Sequence, residues 1–193
     1  MSRVAAIDCG TNSIRLLIAD ITGDNFQELT REMEVVRLGQ GVDATGAFDP
    51  EAIERTLEAT KKYAEIIAGK GVEKIRFCAT SATRDASNRD LFIDGVREIL
   101  GIEPEVIPGT EEAALSFIGA TKGLVHTESP YLVVDIGGGS TEFVLGTTEV
   151  DYAKSVNVGC VRMSERHLNK APQDPLAMQR AIRDIDEAIA EAA

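Results

Sequence analysis

The sequence predicts an α/β fold in two units, with mixed sheets and crossover helices, and three observations lead to this prediction. Short β-branched runs alternate with longer amphipathic segments along the 193 residues. The first unit contains tight turns, which join antiparallel strands, and helical crossovers, which join parallel strands. A pattern of acid, glycine and hydroxyl residues between two strands occurs twice, at Asp8 and at Asp135. The second unit therefore begins to repeat the first.

The first unit is predicted to cover residues 1–126 and to begin with three strands. The first two are joined by a tight turn, and a glycine-rich loop follows the third. Asp49 is a favourable N-cap and Pro50 a favourable first residue for the helix that follows. Thr110 is predicted to cap the last helix of this unit. The predicted strands are 4–8, 14–21, 26–39, 74–80 and 104–109, and the predicted helices are 50–68, 88–100 and 110–123.

The second unit is predicted to cover residues 127–193. A last helix begins at Asp174 and Pro175, and no strand follows it, so the second domain is predicted to be truncated or minimal. An incomplete sheet exposes apolar edges, which favours a homodimer. The other predicted elements of this unit are strands at 131–136, 141–146 and 150–157 and a helix at 160–168.

Composition and charge argue against several classes of protein. Lys and Arg number 20 against 32 Asp and Glu, a net charge of −12, whereas a general nucleic-acid binder carries a basic surface. Neither a membrane span nor a signal peptide is predicted. The three cysteines form no CxxC pair, which predicts buried thiols in a reducing cytoplasm rather than a metal or redox site. The two histidines are isolated, which argues against a histidine metal site.

Two strand–turn–strand segments carry the strongest functional signal. Backbone N–H groups in a glycine turn converge on one concavity and bind phosphate oxygens. An acid beside such a turn is favourable where Mg²⁺ or an ordered water separates it from the phosphate. Two ordinary β-hairpins are the alternative for either turn alone, but the repetition favours phosphate binding. The acids are Asp8 and Asp135, and the turn residues are Gly10, Thr11, Asn12 and Ser13 in the first segment and Gly137, Gly138, Gly139, Ser140 and Thr141 in the second.

Two common phosphate-binding motifs do not match this chain. The residues that follow the three glycines, STEFVLG, predict a strand rather than the helix of a Rossmann turn, and position 142 is Glu rather than Gly. The chain contains no G-K-[ST] sequence, so it has no P-loop.

Several carboxylates are candidates for metal binding or acid–base chemistry. Glu142 lies two residues beyond Ser140 and shares its face of a strand. It is either an exposed strand carboxylate or a second metal or water ligand opposite Asp135. Glu111 and Glu112 lie in the first turn of a helix, where acids commonly complement the helix dipole. The alternative is that one of these two glutamates is a general base, kept ionised by the positive end of the helix.

Two arginines are candidates for phosphate binding. Arg84 lies in a predicted loop with Ser81 and Thr83, after a buried strand whose C-terminal end is where α/β sheets bind ligands. It either clamps a phosphate or pairs with Asp85 at the surface. Arg15 alternates with apolar residues in a strand and needs a partner, which is either an anion or a structural carboxylate.

Four segments, in this order, resemble the Ppx/GppA family of exopolyphosphatases and guanosine pentaphosphate phosphatases, a family of the actin, Hsp70 and sugar-kinase superfamily. The resemblance extends over at least residues 4–168. The four motifs together are specific for the family, whereas the acidic glycine hairpins alone indicate only the superfamily. The segments are AAIDCGTNSIRLLIAD, CATSATRDA, VIPGTEEAALSFIGA and VVDIGGGSTEFVLG.

The resemblance implies two ribonuclease-H-like, actin-like ATPase domains with mixed five-stranded sheets, facing a cleft where phosphate binds between two hairpins. It implies Mg²⁺-dependent hydrolysis of the terminal phosphoanhydride bonds of inorganic polyphosphate. Glu112 matches the family's catalytic base, and Asp135 and Glu142 match its metal or water carboxylates. The phosphate-binding residues that it implies are Asp8, Thr11, Asn12, Ser13, Arg15 and Arg84 in the first domain and Gly137, Gly138, Gly139, Ser140 and Thr141 in the second.

The sequence leaves other functions open. One is removal of the 5′ γ-phosphate from guanosine pentaphosphate (pppGpp), and another is a non-catalytic phosphate or nucleotide sensor. An actin-like ATPase is disfavoured, since the TEEA and TSATRDA segments fit the phosphatase pattern. Family members usually continue through the rest of the second domain, which this chain does not contain.

Overall fold

Two β-sheets organise the chain, one in each of the two units into which its contacts divide it, Met1–Val106 and Ile107–Ala193. The computed structural model describes residues 1–23, 25–124, 130–169 and 174–193. The predicted boundary between residues 126 and 127 lies outside the described residues. The observed division places the helix before it in the second unit, because Ala113 and Phe117 of that helix pack with Val144.

The first unit contains a five-stranded mixed sheet with the strand order β3-β2-β1-β4-β5. Strands β1 and β2 are antiparallel, as are β2 and β3, whereas β4 runs parallel to β1 and β5 runs parallel to β4. This combination confirms the predicted mixed sheet. The strands are β1 (Ser2–Cys9), β2 (Ser13–Thr22), β3 (Asn25–Val35), β4 (Lys74–Ala79) and β5 (Glu105–Val106).

Among the residues that the structure describes, four helices accompany this sheet, and two of them differ from the sequence prediction. The predicted loop around Arg84 is instead a short helix, and another short helix lies in the predicted glycine-rich loop. The long helix begins as predicted, because the Asp49 side chain accepts a hydrogen bond from the Glu51 N–H at 2.8 Å. It ends at Lys70, and the C-cap residue Gly71 has a φ of 66°, in the left-handed region. The helices are α1 (Val42–Thr45), α2 (Pro50–Lys70), α3 (Ser81–Asp85) and α4 (Arg89–Leu100).

The third strand is shorter than predicted. It ends at Val35, because residues 36–39 leave the sheet and donate backbone hydrogen bonds to Thr11 and Asn12. The core of the unit lies between the sheet and helices α2 and α4. Its centre is Phe92, whose ring meets those of Phe48 and Phe77 edge to face at centroid distances of 6.1 and 6.2 Å.

The second unit contains a three-stranded antiparallel sheet with the order β6-β7-β8. Helix α5 begins at Gly109 after the N-cap residue Pro108, so the prediction of Thr110 as the cap is wrong, and Thr110 lies in the first turn. The last helix begins as predicted, with the Asp174 side chain accepting a hydrogen bond from the Leu176 N–H at 3.0 Å. The elements are α5 (Gly109–Thr121), β6 (Tyr131–Ile136), β7 (Thr141–Gly146), β8 (Val150–Val156), α6 (Cys160–His167) and α7 (Pro175–Ala192).

The cysteines only partly fit the prediction of buried thiols. Cys9 is buried, Cys78 is half-buried and Cys160 is exposed. Cys160 is exposed because it is the first residue of α6, where its backbone rather than its side chain makes the contact with the neighbouring turn. Among the helices of the described ranges, none has the length and hydropathy needed to cross a membrane.

Tyr63 of α2 links the helix to the sheet. The pKa of its hydroxyl allows a prediction of how the free energy of unfolding depends on pH. Its buried hydroxyl donates to the carbonyl of Ile14 at 3.0 Å. Burial, with the negative charges of Glu34 and Glu32, raises the pKa of Tyr63 to about 12. Between pH 10 and pH 12 the unfolded chain therefore loses this proton while the folded chain keeps it, and stability falls.

We expect the free energy of unfolding of the Tyr63→Phe variant at pH 8 to be about 1 kcal/mol lower than that of the unmodified chain. Between pH 8 and pH 11 we expect the variant to lose less stability than the unmodified chain. Urea denaturation at the two pH values measures both quantities. Parallel declines in the two proteins would show that Tyr63 does not carry the alkaline loss of stability.

Candidate functional site

The turn between β1 and β2 is held by backbone hydrogen bonds on one side. The Gly10 N–H donates to the Ser13 carbonyl at 3.0 Å and closes the turn. The carbonyls of Thr11 and Asn12 accept from N–H groups of residues 36–39 at 2.8 to 3.1 Å. Because the C=O and the next N–H of a trans peptide point in opposite directions, the N–H groups of Asn12 and Ser13 point away from residues 36–39.

The turn between β6 and β7 repeats this geometry. The Gly137 N–H donates to the Ser140 carbonyl at 2.9 Å, so the two turns are closed by the same bond at equivalent positions. Within the described part of the chain, no group accepts a hydrogen bond from the N–H groups of Gly138, Gly139 or Ser140. Three successive donors of this kind are suited to bind an anion.

The two hairpins differ in the charge that faces the acid. In the first, Asp8 is opposite Arg15, and the Arg15 Nη1 donates to the Asp8 Oδ2 at 2.8 Å. Of the two partners considered for Arg15, the structure contains the carboxylate. In the second hairpin Asp135 is opposite Glu142. Like charges at directly opposed positions are destabilising, so this second pair favours a proton or a cation.

Glu142 is buried, with 1% of its surface exposed. The Ser155 hydroxyl donates to its Oε1 at 2.7 Å. Burial, then the negative charge of Glu112 and, more weakly, that of Asp135 raise the pKa of the Glu142 carboxyl, although hydrogen bonds from Ser155 and Ser140 oppose the change. The interpretation of Glu142 as an exposed strand carboxylate is therefore wrong.

Helix α5 contributes two polar side chains to the second hairpin. Glu112 lies in its first turn and is close enough to Glu142 to act on its pKa. Ser116 follows one helical turn later, and its hydroxyl donates a hydrogen bond to Asp135. Residues four apart share a helix face, so the packing of α5 on the sheet brings both to the carboxylate pair.

The remaining predicted residues are placed as follows. Arg84 is the penultimate residue of α3 and is half-buried, next to Thr83, whose buried hydroxyl has no hydrogen-bond partner among the described residues. Thr141 faces away from Glu142, and its hydroxyl donates to the Val158 carbonyl at 2.6 Å. The Thr141 side chain thus tethers the segment after β8.

Two serines of the site were missed by the sequence analysis. Ser155 is opposite Glu142 in the β7–β8 pairing, and Ser116 lies four residues after Glu112. Strand register and helical spacing are the signals that identify them, but each requires knowing which element packs on which. Each hydroxyl donates a hydrogen bond to one carboxylate, Ser116 to Asp135 and Ser155 to Glu142, and so orients it.

The donor set suits a hard cation. Within the described ranges there is no group of three or more His, Cys, Asp or Glu side chains arranged to hold a metal. Mg²⁺ is commonly held by only one or two carboxylates, with water and substrate phosphates as its other ligands. The opposed pair of Asp135 and Glu142 supplies two carboxylates of the required type.

Comparisons with known proteins identify the same family that the four sequence segments resemble. The Ppx/GppA phosphatase family matches residues 17–193. Exopolyphosphatase 2 of Mycobacterium tuberculosis is 49% identical over 196 aligned residues, which cover 95% of this chain and 61% of that protein. This chain therefore spans 61% of the length of this curated relative.

Solved structures share the fold. A crystal structure of an exopolyphosphatase-like protein has 51% identity and a TM-score of 0.96, with coverage of 99% of this chain and 61% of that chain. An exopolyphosphatase from Cytophaga hutchinsonii has 33% identity and a TM-score of 0.90, with coverage of 97% and 61%. The expected α/β fold, with a mixed sheet and crossover helices, is confirmed. Because the family match runs from within β2 to the last residue, the chain belongs to the Ppx/GppA phosphatase family.

Proposed function

We propose that this chain carries the chemistry of an exopolyphosphatase, the hydrolysis of the terminal phosphoanhydride bond of inorganic polyphosphate with release of phosphate. One observation carries the proposal. The carboxylate of Glu142 lies opposite Asp135 and within electrostatic reach of Glu112, beside a turn whose N–H donors suit an anion. Relatives that bear the name exopolyphosphatase support the choice of substrate.

In the proposed reaction Glu112 is the general base. It accepts a proton from the water whose oxygen forms a bond to the terminal phosphorus. The bond between that phosphorus and the bridging oxygen breaks, the bridging oxygen keeps the electron pair and stays with the shortened chain, and the terminal group is released as phosphate. Its place in the first turn of α5 favours the ionised form, because the N-terminus of a helix carries partial positive charge. The negative charge of Glu112 acts on the carboxyl of Glu142, which supports a position of Glu112 close to the carboxylate pair.

The turn donors would stabilise the charge that develops on the phosphate oxygens. The N–H groups of Gly138, Gly139 and Ser140 are fixed in direction before substrate binds, and preorganised donors lower the barrier more than donors that must reorient. The first unit contains a turn with the same closure at Asn12, and Arg84 is its candidate cation for phosphate binding.

A divalent cation, Mg²⁺, completes the proposal. Asp135 and Glu142 would hold it, and when bound it supplies positive charge to substrate phosphate oxygens. Ser116 and Ser155 orient the two carboxylates by hydrogen bonds, a supporting role that is common around metal ligands. The cytoplasmic location, the homodimer and the use of pppGpp stay predictions.

Glu112→Gln tests the base. We expect the rate of phosphate release from long-chain polyphosphate with Mg²⁺ to fall about 10²–10⁴-fold, while polyphosphate binding changes little, because the amide keeps the shape but accepts no proton at neutral pH. Release is measured with pppGpp and ATP as parallel substrates, and binding is measured by calorimetry.

Glu111→Gln is the matched control, since Glu111 precedes Glu112 in the same helical turn, and we expect it to retain activity. Unchanged turnover in Glu112→Gln would remove Glu112 from the base role. Absence of release from every substrate by the unmodified chain would overturn the proposed activity for this chain.

Glu142→Gln separates function from stability. Removing the charge opposite Asp135 relieves the repulsion, so we expect unfolding in the absence of divalent metal to require about 1 kcal/mol more free energy. The variant is expected to bind Mg²⁺ more weakly, as measured by calorimetry with tripolyphosphate present. Glu149→Gln, on the exposed turn before β8, is the control. A less stable variant with unchanged Mg²⁺ affinity would contradict the role of this pair.

Arg84→Ala tests the cation of the first unit. We expect the Michaelis constant for polyphosphate to rise about tenfold, because a hydrogen bond to a charged group is lost. Arg89→Ala removes the same charge from an exposed position at the start of α4 and is expected to have little effect. Equal kinetics in Arg84→Ala and the unmodified chain would make Arg84 a structural residue.

A further inference from the structure

The start of helix α6 holds the glycine turn of the second unit by its backbone. The Cys160 N–H donates to the Gly137 carbonyl at 2.9 Å. The N–H groups of Val161 and Arg162 both donate to the Gly138 carbonyl, at 2.9 and 3.0 Å. The first N–H groups of a helix have no partner within the helix, and here the turn supplies carbonyl acceptors for them.

The side chain of Arg162 holds the third carbonyl of the turn. Its Nε–H donates to the Gly139 carbonyl at 2.7 Å. The carbonyls of all three glycines therefore point toward α6. Since the C=O of one residue and the N–H of the next point in opposite directions across a trans peptide, this arrangement directs the N–H groups of Gly138, Gly139 and Ser140 away from the helix.

Gly159, the residue before α6, allows the close approach. A Cβ at this position would lie 2.5 Å from the carbonyl carbon and oxygen of Gly138 and 2.7 Å from the nitrogen of Gly139. These are backbone atoms, which cannot move aside as the end of a side chain can. Gly159 is extended, with φ at −155°, so its requirement for glycine is steric.

We propose that Arg162 and Gly159 are positioning residues for phosphate binding, which fix the glycine turn in the orientation that presents its N–H groups to the substrate. The proposal rests on the proposed function. The turn is already closed by the bond from Gly137 to Ser140, so the additional contacts from α6 determine the direction of its peptide groups. The hydrogen bond from the charged Arg162 to the Gly139 carbonyl also polarises the peptide between Gly139 and Ser140. The Ser140 N–H thereby becomes a stronger donor.

The test measures the turn itself rather than turnover. In the Glu112→Gln background, ¹⁵N-resolved NMR spectra follow the amides of Gly138, Gly139 and Ser140 during titration with inorganic tripolyphosphate and Mg²⁺. We expect these amides to shift on binding. Adding Arg162→Ala is expected to raise the dissociation constant about tenfold, as for the loss of one charge-assisted contact. Adding Gly159→Ala is expected to weaken binding as well, because its Cβ displaces the turn. Both changes are expected to shift the three amides before any ligand is added.

Arg180→Ala is the charge-matched control, because Arg180 is exposed on α7, and we expect binding within twofold of the background. If Arg162→Ala does not fold, Arg162→Lys, which keeps the charge but lacks the Nε–H, must show the same loss. Amides that respond equally in the background and in the variants would overturn the positioning role alone. Amides that do not respond to tripolyphosphate in the background would overturn both this role and the phosphate site.

Discussion

The central constraint in this structure is the opposition of two carboxylates, Asp135 and Glu142, across one hairpin. Two negative charges at directly opposed positions, one of them buried, destabilise the fold unless a proton or a cation compensates. Ser116 and Ser155 orient the pair but do not neutralise it. The second unit is therefore less stable at the position where the proposed chemistry needs negative charge. Functional sites commonly lower stability in this way.

The first hairpin shows that the backbone does not impose this cost. It has the same turn closure and the same register, yet Arg15 occupies the position that corresponds to Glu142 and neutralises Asp8. The repeat thus supplies two turns with the same closure but a different charge balance. In the first, the acid is already compensated. In the second, the uncompensated charge favours a cation, so the proposed metal site belongs to the second unit.

Local patterns predicted most of the strands, the long helix that begins after Asp49 and the helix that begins after Asp174, because these depend on alternation and on caps. The short helix at Ser81–Asp85 and the early end of β3 were missed. Both depend on tertiary contacts, such as the hydrogen bonds from residues 36–39 to the first turn. The burial of Glu142 was left open for the same reason, since alternation assigns a face but not what covers it.

The net charge of −12 limits how a polyanion can be bound. A field of this sign disfavours the approach of a phosphate chain at long range, but it is screened beyond about 8 Å at physiological ionic strength. Binding must then come from donors in direct contact, whose direction matters more than their charge. The turn at Gly138 meets this requirement with peptide N–H groups, which carry no net charge and keep their direction only while their carbonyls are held. Arg162 places its positive charge on the carbonyl side of this turn, so in the proposed site it would act on a bound anion through the peptide group.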